Sequence, residues 1–311
     1  MVITSRPENH IAQIFPDSIS THIDIPSGRD VKPGDGTSDD IRIFLRSRLD
    51  AMGMEEAWIV QAVDYLAPRA AGIFIWATTV ADFLRLNPKV QFSVLQLKDD
   101  TEGLESLYFL YSTVITTSFG HGLTEAEIKA VTSIMGAMTF ARQPLNDDVL
   151  IRLLGVKSRD ILEFFRRGLM SVIDSGPILH FHHRLFEDFL PSFSFWQANL
   201  SDIQDRNLHE CQLAALCLNC MVSSKLHFNM CNLESSNIKN VDIQATVKTA
   251  ISPLVSYSST FWADNLVLTP YDETSMEVVK FVMYEKLLFW IEVMNVLGKA
   301  HEVSAILKRA L

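Results

Sequence analysis

The chain has 311 residues, 48% of them hydrophobic, and a formal net charge of -10 at pH 7. This length predicts two or three domains, and the apolar content is enough for a sizeable core. The acidic excess argues against broad binding to nucleic acids or anionic membranes, since both need cationic surfaces. The longest apolar run, residues 70–84, is interrupted by Asp82 and is too short to span a bilayer. Without a signal peptide, the four cysteines between Cys211 and Cys231 are expected to be reduced in a cytoplasmic protein.

The first 37 residues are predicted to form a small β-containing segment followed by a loop. Short apolar runs at 2–4 and 21–25 favour strands, and residues 26–38 are rich in glycine, proline and aspartate. A helix is expected to follow, capped by Ser38 or Asp39, because its apolar residues share one helical face. Those residues are Ile41, Phe44, Leu45, Leu49 and Met52.

Residues 38–118 are predicted to form a small helical domain. Helical periodicity continues at 58–66, at 71–86 and at 104–115. The helix at 71–86 is apolar nearly all round and ends before Pro88. We therefore expect the core to centre on this helix, which holds Phe74 and Trp76, and on residues 119–198, with Trp76 buried.

Residues 119–198 combine helices with a hairpin signal. Thr124 and Glu127 form a capping-box pattern before an apolar helix. Helices are then predicted at 146–154 and 158–167, the second ended by Gly168. Two β-like runs, 169–173 and 178–182, flank a turn, and a last helix runs to 190. Helix, helix, hairpin and helix in this order are typical of a winged-helix domain.

Residues 199–311 are predicted to form a second helical domain. The longest amphipathic stretch runs from 278 to 297. An apolar seam at heptad spacing is expected earlier, at Leu208, Cys211, Ala215, Leu218 and Val222. The predicted fold class is therefore mainly α, with a short β remnant at the N-terminus.

Several segments, taken in chain order, are similar to one protein family. They are Ile3-Thr4-Ser5-Arg6-Pro7-Glu8, Asp40-Ile41-Arg42-Ile43-Phe44-Leu45, Ala71-Gly72-Ile73-Phe74-Ile75-Trp76-Ala77, Pro177-Ile178 with His183 and Phe186-Glu187-Asp188-Phe189-Leu190, Cys217-Leu218-Asn219-Cys220-Met221 with Met230-Cys231-Asn232-Leu233, and Leu288-Phe289-Trp290-Ile291-Glu292. Together they resemble the fungal NACHT-type STAND NTPases that usually carry C-terminal WD repeats. The resemblance implies the C-terminal part of a nucleotide switch: sensor strand, helical domain, winged-helix domain and second helical domain. Residues 1–37 would then be a remnant of the NTPase core.

The parts that bind nucleotide in that family have no counterpart in these 311 residues. No G-x-x-x-x-G-K-[ST] motif occurs, and the only Gly-Lys pair, Gly298-Lys299, is followed by Ala300. We therefore expect no enzymatic activity and no cofactor of its own. ATP or ADP with magnesium would be bound only together with an upstream NTPase portion.

Arg6 and His183 are the two residues to which the resemblance assigns nucleotide sensing. In the family, the arginine faces the terminal phosphate and the winged-helix histidine contacts the β-phosphate of ADP. In that family an acidic residue usually follows this histidine, and in this sequence Arg184 takes its place. The structural alternatives are an arginine near a frayed terminus and a histidine that caps or packs a helix. Without the other phosphate ligands, we favour these alternatives.

Two possible metal or redox sites have weaker support than their structural alternatives. His180 and His182 share one strand face and His183 follows, but no further ligand lies at a recognisable spacing. Cys217 and Cys220 form a C-x-x-C in an apolar helix, with no second cysteine pair at zinc-ribbon spacing. We predict no metal site and buried core cysteines.

The function expected from these patterns is binding. The chain is predicted to be a truncated regulatory protein of the NACHT type that binds protein partners or a missing NTPase portion. One alternative is a fragment of an intact nucleotide switch. Another is a DNA-binding winged helix that uses Arg159, Arg166 and Arg167, although Asp160 and Glu163 share that helix.

Overall fold

The computed structural model describes residues 36–87, 104–120, 122–154, 160–174, 176, 178–190, 206–235 and 237–310. These residues are mainly α-helical, which confirms the mainly-α part of the predicted fold class. The predicted β remnant, with Arg6, lies outside the described residues. None of the helices described is both long enough and apolar enough to cross a membrane.

Most of the predicted helices form, with bounds that differ by a few residues. The α-helices of the described residues are α1 (Gly36–Asp50), α2 (Glu56–Ala70), α3 (Phe74–Leu86), α4 (Leu104–Phe119), α5 (Glu125–Phe140), α6 (Asp147–Leu154), α7 (Asp160–Leu169), α8 (Arg184–Phe189), α9 (Arg206–Val222), α10 (Gln244–Ala250), α11 (Pro253–Leu266), α12 (Glu273–Phe281), α13 (Leu287–Val296) and α14 (Val303–Ala310). They fall into two compact units, one of residues 36–81 with 104–107 and one of 82–87 with 108–310. The predicted domain boundaries at 118/119 and 198/199 stay predictions.

In the first unit, α1 packs against α2. The interface is apolar, because both helices bury residues spaced three and four apart: Ile41, Leu45 and Leu49 from α1, and Ile59, Ala62, Val63 and Leu66 from α2. Two surface ion pairs also join the helices, Arg42 with Asp64 at 2.8 Å and Arg46 with Glu56.

Helix α3 begins at Phe74 and not at Ala71 as predicted. Ala71 and Gly72 have φ angles of 45° and 76°, so the left-handed region ends α2 at this point. Trp76 is fully buried, as predicted, whereas Phe74 is 41% exposed and lies edge-on to Phe44. Trp76 therefore lies in the core, while Phe74 of the same helix lies at the surface.

In the second unit, the main contact joins α9 to α11. Helices α5 and α6 pack against α9, and helices α13 and α14 pack against α11. Trp262 and Trp290 are both buried, with their ring centroids 6.0 Å apart and their planes nearly perpendicular. The indole nitrogen of Trp290 donates a hydrogen bond to the Ser259 carbonyl at 2.8 Å. This pair holds α13 against α11.

The predicted seam of α9 is wrong, because the buried face is rotated from it by roughly a third of a turn. Ala215 is exposed, and Leu208, Cys211 and Val222 are only half-buried. The buried face consists of His209, Glu210, Leu213, Ala214, Cys217, Leu218, Cys220 and Met221. Two polar residues therefore lie on the inner face, which an apolar seam could not indicate.

The predicted amphipathic stretch at 278–297 is divided by a π-helical turn. Helix α12 leads directly into the π-turn Val282–Lys286, and α13 follows at Leu287. A π-turn inserts an extra residue into a helix and is frequent at functional sites. Here Val282 is buried while Tyr284, within the turn, faces solvent.

Candidate functional site

The segment predicted to be a winged helix begins with the capping box that the sequence indicates. The Thr124 side chain accepts from the Glu127 backbone N–H at 3.3 Å, and the Glu127 carboxylate accepts from the Thr124 backbone N–H at 2.8 Å. The Thr124 backbone N–H and hydroxyl both donate to the Glu127 carboxylate and lower its pKa below the ordinary value. The box determines where α5 begins.

The predicted hairpin forms only single bridges in the residues described. Ile173 pairs with Phe181, and Asn146, just before α6, pairs with Ile178, both antiparallel. Backbone hydrogen bonds join Asp174 N–H to the His180 carbonyl and His182 N–H to the Val172 carbonyl. The predicted strand at 169–173 begins too early, because Leu169 is the last residue of α7.

Gly168 does not end α7 as predicted. A Cβ at this position would lie 2.7 Å from the Phe119 ring and 3.1 Å from the Ser118 Cβ. The Ser118 hydroxyl donates to the Gly168 carbonyl at 2.6 Å. Glycine therefore lets α7 approach the end of α4 closely.

His183 is the N-cap residue of α8. Its backbone is extended, and its Nδ1 accepts a hydrogen bond from the Leu185 backbone N–H at 3.1 Å. An accepting Nδ1 carries no proton, so the neutral imidazole holds its proton on Nε2. The ring is thus oriented and its tautomer selected by the helix that it caps. This geometry matches the capping alternative for His183.

Helix α8 is fixed in place by aromatic contacts on its inner face. Phe186 lies edge-on to Tyr111 at 4.8 Å, and Phe189 lies 5.3 Å from Tyr108. Burial of Tyr111 raises the pKa of its hydroxyl well above the ordinary value. These contacts hold the start of α8, and with it His183, in one position.

The outer face of α8 is charged. Arg184 lies 3.9 Å from Asp188 on the exposed side. Partial burial is the main cause that raises the pKa of Glu187. The first turn after His183 therefore presents a guanidinium where the resemblance implies a carboxylate.

The neighbouring histidines do not converge with His183. His180 is exposed, with its Nε2 3.4 Å from an Asp174 carboxylate oxygen, and His182 is also exposed. Among the residues described, no group of three or more His, Cys, Asp or Glu side chains could hold a metal ion.

Arg166 lies on the buried face of α7. Its guanidinium binds both carboxylate oxygens of Asp147, at 2.6 and 3.1 Å, and also the Gly176 carbonyl at 3.2 Å. Through these hydrogen bonds, the Arg166 guanidinium joins α7 to the start of α6 and to the hairpin turn. Sequence reasoning missed it, although Arg166 falls on the same stripe as Leu162, Phe165 and Leu169, which could have indicated burial. An arginine held inward in this way does not face a DNA groove.

Cys217 and Cys220 are buried in the core, as predicted from the sequence. They lie near the end of α9, and Cys231 is also buried. Burial raises the pKa of the Cys217 thiol to about 12, so the thiol stays protonated at neutral pH. Nothing in this arrangement activates a nucleophile.

Arg6 is outside the described residues, so only His183 of the two predicted sensing residues has a described position. Comparison with protein-family models, with curated proteins and with solved structures finds no match for this chain. The functional interpretation therefore depends on the residues and their geometry.

Proposed function

We propose that this chain is the regulatory, winged-helix-containing part of a NACHT-type nucleotide switch and acts by binding protein, not by catalysis. Its partner would be an NTPase portion or another protein of the cytoplasm. The resemblance in motif order supplies the family. The order of elements from α5 to α8, with an antiparallel bridge before α6 and another in the hairpin, supports the winged-helix assignment.

The single observation that carries the proposal is the position of His183. The residue follows the hairpin directly, begins α8, and has Nδ1 engaged with the Leu185 N–H. The proton of the neutral ring then lies on Nε2, the nitrogen that would donate to a phosphate oxygen. Capping and phosphate contact are therefore compatible, because they use different ring nitrogens.

The same geometry limits what these residues can do by themselves. Phosphate binding in NTPases of this kind depends on a cluster of backbone N–H groups, a lysine and magnesium. Two charge-assisted contacts, from Arg6 and His183, are worth about 1.5–3 kcal/mol each before ordering costs. This corresponds to an affinity of about millimolar at best. We expect calorimetry with ADP, or with ATP and magnesium, to detect no tighter binding.

A decisive experiment begins with mapping the 5′ end of the transcript. If a segment with a phosphate-binding loop lies upstream, that segment and residues 1–311 are co-purified with and without ADP. ADP-dependent association that His183→Ala weakens, and that His183→Asn with its intact cap also weakens, supports the switch. Association that neither substitution changes contradicts the role of His183.

A further inference from the structure

The helical segment from α12 to α13 carries large apolar side chains on its solvent side. Phe281 is 45%, Tyr284 86% and Leu288 75% exposed, and Tyr271, just before α12, is 82% exposed. Phe281, Tyr284 and Leu288 lie in or beside the π-turn Val282–Lys286, and Tyr271 and Tyr284 are both close enough to Lys280 to influence its charge. We call these four residues the apolar stripe. Clusters of exposed apolar side chains mark interaction sites more often than chance.

The opposite side of this segment is firmly anchored. Val282, Trp290 and Val293 are buried. Lys286 donates to the Leu226 carbonyl at 3.0 Å, and the Glu292 carboxylate accepts from the Asn229 N–H at 3.1 Å. The stripe is therefore presented by a backbone whose inner face is already fixed. A preorganised surface loses little conformational entropy on binding.

The composition of the apolar stripe resembles that of protein interfaces. Tyrosine and phenylalanine are enriched in interface cores because they supply large contact areas with few rotatable bonds. Two of the four residues are tyrosines, and one of them, Tyr284, lies in the π-turn Val282–Lys286. A π-turn at such a position is a further sign of function.

Charge around the apolar stripe selects the kind of partner. Residues 271–296 contain five carboxylates and two lysines. Glu292 lies on the anchored side, and Glu277 is paired with Lys280. The exposed carboxylates without that pairing are Asp272, Glu273 and Glu285. Both lysines are engaged, Lys280 with Glu277 at 2.6 Å and Lys286 with the Leu226 carbonyl. Glu285, beside Tyr284, is exposed and has no cationic partner among the residues described. The surroundings of the stripe are thus acidic.

We propose that the apolar stripe is the docking surface for a cationic amphipathic helix of a partner protein. Such a helix would place apolar side chains on Tyr284 and Leu288 and its lysines or arginines beside Glu285. A second copy of this chain would bring two acidic edges together, and an anionic membrane would be repelled. The proposal is independent of the nucleotide-switch function, because the stripe does not include His183.

The test uses a labelled model peptide of about 14 residues, made of leucine and lysine in amphipathic helical order. Fluorescence anisotropy measures its binding to the full chain. The double variant Tyr284→Glu/Leu288→Glu is expected to bind it about tenfold or more weakly. Both substitutions add negative charge and would strengthen the general electrostatic attraction for the cationic peptide. A loss of peptide binding therefore cannot come from weaker electrostatic attraction. Tyr284→Ala/Leu288→Ala, which leaves the charge unchanged, should also weaken binding.

The matched control is Ile43→Glu/Val60→Glu, which adds the same charge at exposed apolar residues of the first unit. It should leave peptide binding unchanged, and a leucine–glutamate peptide of equal length should bind poorly to the wild type. Equal peptide binding by the stripe variants, or equal loss in the control, would overturn the proposal. So would a dimer in light scattering that Leu288→Glu dissociates, because the occupant would then be a second copy.

Discussion

Replacement of Arg166 by alanine should destabilise the second unit through one identifiable ion pair. Arg166 is 8% exposed and contacts both carboxylate oxygens of Asp147. Removing one partner of a fully buried pair costs roughly 3–5 kcal/mol, because the other charge stays buried alone. The Asp147 side chain keeps 26% of its exposure, so water can solvate it in part. We therefore expect a loss of about 2–3 kcal/mol in the free energy of unfolding.

Urea unfolding followed by circular dichroism measures this loss. Arg167→Ala is the control, since Arg167 is exposed on the same helix, and its cost should stay within about 0.5 kcal/mol. The double variant Arg166→Met/Asp147→Leu should recover most of the stability, because no unpaired charge remains. If Arg166→Ala costs no more than Arg167→Ala, the ion pair does not form in solution. Arg166 would then be available to DNA, and a gel-shift assay would become the next experiment.

Three further predictions concern other contacts of the second unit. Gly136→Ala should destabilise by about 1–2 kcal/mol despite its better helix propensity, because the new Cβ would clash with the buried His209 ring. In a double-mutant cycle measured by urea unfolding, His209→Ala should remove this penalty. His183→Ala should cost about 0.5–2 kcal/mol in thermal unfolding, whereas His183→Asn should cost little, since asparagine is a good N-cap; equal costs would contradict the cap. Alkylation at neutral pH, read by mass spectrometry, should modify half-buried Cys211 in the native protein and Cys217 only after unfolding, because burial raises the pKa of Cys217 to about 12; rapid native labelling of Cys217 would show that α9 is misplaced.

Features that depend on neighbours in sequence could be predicted. The capping box of Thr124 and Glu127 forms as the pattern indicates, because its partners are three residues apart and need no other element. The buried positions of Cys217 and Trp76 also follow from the apolar segments around them. His183 was found only through the resemblance, and its capping contact is again local.

What the tertiary structure decided is which face of each helix meets a neighbour. The sequence by itself determined that the described chain is mainly α, because hydrophobic periodicity and caps act within a few residues. It could not show that α9 buries His209 or that Arg166 binds Asp147. Nor could it show that the absence of a side chain at Gly168 leaves room for the Phe119 ring. Those contacts join residues far apart in the chain, and a polar side chain is buried only where a distant partner compensates its loss of water. The same limit applies to the apolar stripe, since only packing of the opposite face decides that Tyr284 and Leu288 stay exposed.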